Sequence, residues 1–216
     1  MSKLTLLGDI HGYYDEYLNI IKDTEYSIQL GDFGFDYSCL QDVDSDRHKI
    51  ILGNHDNYDN RPEGFDLGDY GLVTFYDWDF FFVRGAFSID CRQRWAHERS
   101  TGRRSWWENE QLSKKEMDYC LECYSYVCPD VILSHTCPAH ISEIVGNPGT
   151  MSSFGWPENM VTATQGLLRA MWERHQPKLW CFGHYHKNWR YVEDQTTYYC
   201  VNELSTLTFN EDWKVV

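Results

Sequence analysis

The sequence lacks a long apolar run. A membrane-spanning helix needs roughly 18 uncharged apolar residues, and the segment that comes closest, VTFYDWDFFFV at 73–83, contains two aspartates. The first residues, MSKLTLLGDI, hold one lysine and too short an apolar run for a signal peptide. We therefore expect a soluble, cytoplasmic protein without a membrane partner.

Basic residues are also scarce. The 216 residues include 19 Lys and Arg against 33 Asp and Glu, which gives a formal net charge of −14. Such a surface repels a long phosphate backbone, so long duplex nucleic acid is not an expected partner. Five basic residues nevertheless fall close together: Arg92, Arg94, Arg99, Arg103 and Arg104. This cluster is either a solvated face or a binding site for an anion.

Disulfide bonds are not expected, because the chain shows no export signal. The eight cysteines include Cys120, Cys123 and Cys128, but these lack a second pair at the spacing of a structural zinc site. We interpret them as packing thiols. The chain is 42% hydrophobic and 16% aromatic, which excludes a disordered protein. Without repeats or a linker-like stretch, it predicts a single domain over residues 1–216.

Short apolar runs alternate with helical patterns along the chain. Five runs are too uniformly apolar for half-exposed strands, so each predicts a strand covered on both faces. They are LTLL (4–7), YSIQL (26–30), KIIL (49–52), VILS (131–134) and LWCF (179–182). Helices are expected near 13–23, 109–127 and 162–175, a hairpin over 72–86 and a β-meander over 188–209. The Gly-, Pro- and Ser-rich segment 146–159 predicts a surface loop near the mouth of a site.

Each of the five predicted strands ends in polar side chains that can bind metal ions. The residues concerned are Asp9, His11, Asp32, Asn54, His55, Asp56, His135, His184 and His186. In an α/β fold, ligands gather beyond the carboxyl ends of the strands, so we expect these side chains to converge. Carboxylate and imidazole groups are ligands that suit Mn, Fe and Zn. Two ions about 3.5–4 Å apart need a shared anionic ligand, and Asp32 is the natural bridge.

The ordered series GDIHG, GDFG, GNHD, LSHT and GHYH resembles the motifs of the calcineurin-like metallophosphoesterase family. The resemblance implies a four-layer α-β-β-α sandwich of two mixed β-sheets flanked by helices. The implied ligands are Asp9, His11 and His186 for one ion and Asn54, His135 and His184 for the other, with Asp32 between them. His55 would face the substrate instead, stabilising the transition state or protonating the leaving oxygen, and Asp56 would hold its ring by a hydrogen bond.

The chain departs from the phosphoprotein phosphatase branch of that family. That branch carries Asp-Arg-Gly after its GD motif and Glu after GNH, whereas this chain has Phe33-Gly34-Phe35 and Asp56. The segment from RGAFSIDCRQRW through TGRRSWWENEQLS (84–113) looks like an insertion of some bacterial and phage-type members. Because arginine forks match phosphate oxygens, we expect Arg103 and Arg104 to bind an anionic part of the substrate.

These observations predict a metal-dependent phosphoesterase with two divalent transition-metal ions, Mn foremost and Fe or Zn as alternatives. The ions would activate a water that cleaves a phosphate monoester or diester. The expected substrate is a small phosphorylated molecule, either nucleotide-like or a short oligonucleotide. The alternatives are a phosphoprotein phosphatase and a non-catalytic binding module on the same fold. The complete set of expected ligands disfavours the binding module.

Overall fold

The structure, a computed structural model, describes residues 2–216. The strands in this part of the chain are β1 (Leu4–Leu7), β2 (Tyr26–Gln29), β3 (His48–Ile50), β4 (Tyr70–Phe75), β5 (Trp78–Val83), β6 (Val131–Ser134), β7 (Leu179–Phe182), β8 (Trp189–Glu193), β9 (Thr196–Cys200) and β10 (Thr206–Phe209). The α-helices are α1 (Tyr14–Ile21), α2 (Cys91–Thr101), α3 (Lys114–Val127), α4 (Ala139–Val145), α5 (Thr150–Ser153) and α6 (Ala163–Arg174). Within residues 2–216, none of these helices is long and apolar enough to cross a membrane.

The strands form two mixed β-sheets. The first sheet has the order β10-β1-β2-β3, in which β1, β2 and β3 are parallel and β10 is antiparallel to β1. The second has the order β4-β5-β6-β7-β9-β8, with a parallel centre and antiparallel strands at both edges. Because β1 to β3 run in parallel, as do β6 and β7, the loops that follow them leave each sheet at one edge. The two sheets contain the five predicted strands, and β4 and β5 form the predicted hairpin, so both predictions are confirmed.

Three apolar cores separate four layers. Leu6 and Phe80 belong to the core between the two sheets. Phe81 belongs to a second core, which the outer face of the larger sheet shares with α3, α4 and α6. Tyr17 of α1 and Ile50 belong to a third core on the outer face of the smaller sheet. Successive strand residues point to opposite faces, which is why Phe80 and Phe81 enter different cores. The result is the α-β-β-α sandwich that the resemblance implies.

The C-terminal strands do not form the expected β-meander. β8 and β9 pair as an antiparallel hairpin, but β10 crosses to the other sheet and pairs with β1. In this register Leu4 lies opposite Phe209, and both side chains are completely buried between the sheets. A meander would place β10 beside β9, but β9 is already paired with β7 on one side and β8 on the other, so it leaves no free edge for β10.

The helix α2 is an element that the hydrophobic pattern did not predict. None of its 11 residues is buried, so its sequence shows no apolar stripe. It begins after Asp90 and ends at Gly102, whose φ of 74° closes the helix in the left-handed region. The segment 146–159 also differs from the expected plain loop, because it contains the short helix α5.

Candidate metal centre

The loops after β1, β2, β3, β6 and β7 bring the predicted ligands together. Four of these side chains are buried: Asp9, Asp32, Asn54 and His135. Three reach solvent to differing degrees: His11, His184 and His186. The site therefore has a buried floor and an open side.

Asp9, His11 and His186 form the first group. Asp9 Oδ2 lies 3.6 Å from His11 Nε2 and 3.0 Å from His186 Nε2, and the two ring nitrogens are 3.0 Å apart. The backbone N–H of His184 donates to Asp9 Oδ1 at 2.9 Å and orients the carboxylate. Oδ2 is buried, and within residues 2–216 it receives no hydrogen bond of acceptable geometry. A bound cation would satisfy this orphaned oxygen.

Asn54, His135 and His184 form the second group. His135 Nε2 lies 3.1 Å from Asn54 Oδ1 and 3.2 Å from His184 Nδ1. His135 Nδ1 donates to the carbonyl oxygen of Leu30 at 2.8 Å. That bond fixes the ring and leaves Nε2 facing the group, as ligand histidines require.

Asp32 lies between the two groups. Its Oδ2 is 3.7 Å from His11 Nε2, and its Oδ1 is 3.2 Å from His135 Nε2. The two oxygens of one carboxylate therefore face different groups. This is the geometry that a bridging ligand needs.

The backbone of the site lies in an uncommon conformation. The residues with a left-handed φ include His11 (48°), Asp32 (58°), His184 (68°) and His186 (50°). Such conformations cost energy in residues other than glycine and cluster at functional sites. Gly31, the glycine of the GD motif, has a φ of 102°, and a Cβ there would lie 2.6 Å from His135 Cγ. The missing side chain is what lets His135 approach Asp32.

The carboxylates of the site are charged, whereas the pKa is raised for some of its histidine rings and lowered for others. Burial opposes ionisation of Asp9, but its contacts with His11 and His186 lower the pKa to about 2. Burial and the neighbouring His135 lower the pKa of His184 to about 3, so this ring keeps a free lone pair. Burial also disfavours a charged His135, but Asp32 raises the pKa of that ring to about 9. A cation that binds His135 must displace this proton.

Asp56 is close to the site but does not hold the His55 ring, so this expectation is corrected. Its carboxylate accepts hydrogen bonds from the backbone N–H groups of Asp32 (2.9 Å), Gly34 (3.1 Å) and Gly53 (2.6 Å). The Tyr37 hydroxyl donates to the same group at 3.3 Å. Burial, reinforced by Asp32, raises the pKa of Asp56 to about 7. Asp56 therefore ties the loops after β2 and β3 to each other.

The partner of the His55 ring is Arg94, which projects from α2. A guanidinium nitrogen of Arg94 lies 2.7 Å from Nδ1 and 2.6 Å from Nε2 of His55. Arg94 is itself held by the Asp90 carboxylate at 2.7 Å and the Ser105 carbonyl oxygen at 2.9 Å. Burial lowers the pKa of His55, although the Asp32 charge opposes this, and Arg94 lowers it further. The exposed helix α2 therefore supplies a residue to the site.

Arg103 and Arg104, which the sequence assigns to substrate binding, are not brought to the site. Both are exposed. The Arg104 guanidinium pairs with Asp59 at 2.8 Å and lies 5.3 Å from the centroid of the Trp107 ring. The cluster reaches the site through Arg94, but the spacing of the arginines alone could not show which member points inward.

Ser88 and Glu110 belong to the site although no motif indicated them. The Asn54 amide nitrogen donates to Ser88 Oγ at 3.1 Å, and Ser88 Oγ donates to Glu110 at 2.7 Å. The Ser88 backbone N–H donates to the same carboxylate at 2.7 Å. Because the Asn54 nitrogen is occupied in this way, its Oδ1 is turned toward His135. The sequence signal for this series of hydrogen bonds is a glutamate in a short turn. It is a weak signal, because the sequence does not show that the side chain is buried.

The donor set fits two divalent cations. Three groups of side chains have ligand atoms that lie within 4.8 Å of one another: Asp9, His11 and His186; His11, Asp32 and His55; and Asp32, His135 and His184. Carboxylate and imidazole donors suit Mn, Fe and Zn. Among the described residues these groups contain no cysteine. Cys120, a residue of α3, is instead buried in the core that this helix shares with the larger sheet.

A cavity of about 710 Å³ opens beside the two groups. His11, His55 and His186 contribute to one wall, and the remaining walls come from residues 86–90 and from the chain between 136 and 165. The segment 146–159 therefore lies at the mouth of the site. The volume is within the range of small-molecule sites.

The chain matches a known family along most of its length. The sequence model of the family described as calcineurin-like phosphoesterase matches residues 2–188. No curated protein matches the chain. Among solved structures it is similar to a dimetal phosphatase from Danio rerio, at a TM-score of 0.54 and 12% identity, over 96% of this chain and 91% of that chain. The phosphopantetheinyl hydrolase of Mycobacterium tuberculosis gives a TM-score of 0.47 and 12% identity, over 94% and 90% of the two chains. At these identities the likeness to the Danio rerio structure shows the fold alone.

Proposed function

The chain belongs to the calcineurin-like phosphoesterase family and is a metal-dependent phosphoesterase, and we propose that it cleaves phosphate monoesters or diesters at a dinuclear centre. The observation that carries the proposal is the position of Asp32. Its two carboxylate oxygens face separate groups of ligands, with His11 on one side and His135 on the other. A single ion would need only one of these two oxygens, whereas two ions can each bind one of them.

The residues proposed to hold the two ions are those of the two groups. Asp9, His11 and His186 would hold one ion, Asn54, His135 and His184 the other, and Asp32 both. When bound, such ions supply positive charge for the phosphoryl oxygens and lower the pKa of a water molecule toward neutrality. Mn is the first candidate, with Fe and Zn as alternatives.

His55 is proposed to donate a hydrogen bond to the substrate. Arg94 approaches both ring nitrogens of His55, and a guanidinium can only donate, so the contact favours a neutral ring. A neutral imidazole keeps one N–H, which would be directed to a phosphoryl oxygen or to the leaving oxygen once substrate is bound. His55 lies edge-on to His11, with ring centroids 4.9 Å apart, so it borders the metal groups. This arrangement supports a role in stabilising the transition state.

The proposed substrate is a compact phosphorylated molecule. The cavity beside the metal groups accommodates one small organic group, and the net charge of −14 disfavours a long duplex. Nucleotide-like molecules are the starting candidates from the sequence.

The proposal is tested with generic esters and defined metal ions. Protein stripped by a chelator should hydrolyse neither p-nitrophenyl phosphate nor bis(p-nitrophenyl) phosphate, and Mn²⁺, Fe²⁺ or Zn²⁺ should restore turnover of at least one of them. Full activity after exhaustive removal of metal would contradict the proposal. So would activity that saturates at one ion per chain.

A further inference from the structure

The chemistry of the cavity identifies the organic part of the substrate, an inference that rests on the proposed function. The cavity is lined in part by the metal groups, among them His11, Asp32 and His184, and in part by residues outside them. A phosphoryl group placed on the metal side would therefore direct its organic substituent toward the remaining walls. The side chains of those walls decide what that substituent can be.

The walls away from the metal groups are mainly apolar. Their apolar side chains are Phe87, Ile89, Met151, Phe154, Met160 and Val161. Val161 is 52% exposed, and the other five are partly exposed, so the group still has apolar surface to bury. An apolar ligand that covered this surface would be stabilised by removing it from water.

The polar side chains that form the floor of this cavity are Thr136, Ser142, Gln165 and Tyr185, and they are already hydrogen-bonded to one another. Gln165 Nε2 donates to Ser142 Oγ at 2.8 Å and to the Tyr185 hydroxyl at 3.1 Å. The Tyr185 hydroxyl also lies 3.2 Å from Thr136 Oγ1. A ligand therefore meets few donors on this floor that lack a partner.

The charged side chains of the walls are all acidic in the described chain. Asp90, Glu143 and Glu158 line the cavity, and none of its lining residues is lysine or arginine. Arg94 reaches His55 at the edge of the metal groups, but its guanidinium is engaged by Asp90 and Ser105. A second phosphate in this cavity would meet the exposed carboxylates of Glu143 and Glu158, with no lysine or arginine among the lining residues to offset them, and such like-charge contacts are unfavourable.

We propose that the substrate carries a single phosphoryl group and an uncharged, largely apolar organic group that occupies this cavity. An aryl or alkyl ester meets this description. A short oligonucleotide, an expectation from the sequence, does not, because its additional phosphates would face the acidic walls.

The first test keeps the leaving group constant and changes the other ester group. Metal-loaded enzyme is given phenyl p-nitrophenyl phosphate and methyl p-nitrophenyl phosphate. We expect kcat/KM to be about 10-fold or more higher for the phenyl ester, a size typical of filling an apolar pocket. Equal values for the two esters would overturn the proposal.

The second test adds charge without changing size. The phenyl group is given either a para-neopentyl or a para-phosphonomethyl substituent, which differ in charge but little in shape. We expect the phosphonate to lower kcat/KM by about 10-fold or more, mainly through KM. A phosphonate that is hydrolysed as well as the neopentyl compound would overturn the proposal.

Variants locate the effect in the cavity. Met151→Ala combined with Phe154→Ala should reduce the phenyl-to-methyl preference toward unity. Ile144→Ala is the matched control, because Ile144 lies on α4 and is 48% exposed outside the cavity lining. It should keep the preference. If neither p-nitrophenyl phosphate nor any of these diesters is hydrolysed with any metal ion, the proposed function has failed; if the diesters are hydrolysed without preference, only the inference about the cavity has failed.

Discussion

At the scale of single residues, the inward turn of Arg94 is the feature that most changes the expected site. The sequence does not show which of the five clustered arginines meets His55. Only the position of α2 in the structure shows that it is Arg94. We expect Arg94→Ala to lower kcat by about 10-fold or more, because the His55 ring loses the donor that fixes it. Steady-state kinetics and metal analysis on the same sample measure this.

The control for Arg94 is on the same helix. Arg99 is exposed and lies over the Trp95 ring, so Arg99→Ala should leave kcat unchanged. If Arg94 acts through His55, the double variant with His55→Ala should be no slower than His55→Ala alone. If the loss of kcat in the double variant equals the product of the two single losses, Arg94 acts independently of His55.

Glu110 makes stability depend on pH. Burial raises its pKa to about 7, against hydrogen bonds from Ser88 that would lower it, while the unfolded chain keeps the ordinary value of 4.5. Stability from this group is therefore complete below pH 4.5 and is lost as the pH rises through 7. Besides Ser88, the Trp106 side chain and the charge of Arg94 also act to lower the pKa of this carboxylate.

Glu110→Gln removes this titration. We expect the Tm of the variant relative to the wild type to increase between pH 5 and pH 8, with and without Mn²⁺. Glu108→Gln changes an exposed carboxylate of the same turn and serves as the control. Parallel wild-type and variant curves over this range would contradict the assignment.

At the scale of elements, the sequence predicted two features: the strands that apolar runs indicate, and the polar residues at the ends of those strands. The five strands β1, β2, β3, β6 and β7 come from short, mostly apolar runs and are buried except for Tyr26 and Lys49, which are partly exposed. The residues at their ends are the side chains that meet in the site. The position of β10 could not be predicted, because its pattern fits either sheet and only the distant β1 decides. The role of Asp56 could not be predicted either. The sequence places an aspartate next to His55 but does not show that its carboxylate binds backbone N–H groups rather than the histidine ring.

Two segments of the chain hold the cavity wall together through Trp156. Its indole N–H donates to the Ile89 carbonyl oxygen at 2.7 Å, and its ring lies 5.2 Å from the Phe87 ring. The Arg92 guanidinium lies 3.9 Å from the Trp156 ring centroid. These contacts connect the segment before α2 to the segment that contains α5.

We expect Trp156→Ala to raise KM for phenyl p-nitrophenyl phosphate by on the order of 10-fold, since the wall loses the anchor that positions it. Metal content should stay at the wild-type level, because the ligands come from other loops. Trp95→Ala removes a 50% exposed tryptophan of α2 and is the matched control. Loss of metal in Trp156→Ala would mean that the anchor supports the centre itself.

At the scale of the whole molecule, both proposed ions would connect the two sheets. Asp9 and His11 follow β1 of the smaller sheet, whereas His186 follows β7 of the larger one. In the second group Asn54 follows β3, and His135 and His184 follow β6 and β7. A ligand that binds only the folded chain stabilises it by mass action.

We therefore expect Mn²⁺ at 100 times its dissociation constant to stabilise the protein by about 2.7 kcal/mol for each ion bound. Thermal unfolding of metal-free and metal-loaded protein measures the shift in Tm. Ca²⁺ at the same concentration is a suitable comparison, because it prefers oxygen ligands and should stabilise less. An unchanged Tm with Mn²⁺ would contradict binding by these residues.

The central claim is that Asp32 joins two ions in one centre, and electron paramagnetic resonance of Mn²⁺-loaded protein tests it most directly. Two ions that share a carboxylate are magnetically coupled, so the account predicts two Mn²⁺ per chain and an exchange-coupled spectrum. Asp32→Ala should bind fewer ions and give the spectrum of isolated Mn²⁺. A wild-type protein that saturates with one ion, or a coupled spectrum that survives Asp32→Ala unchanged, would contradict the account.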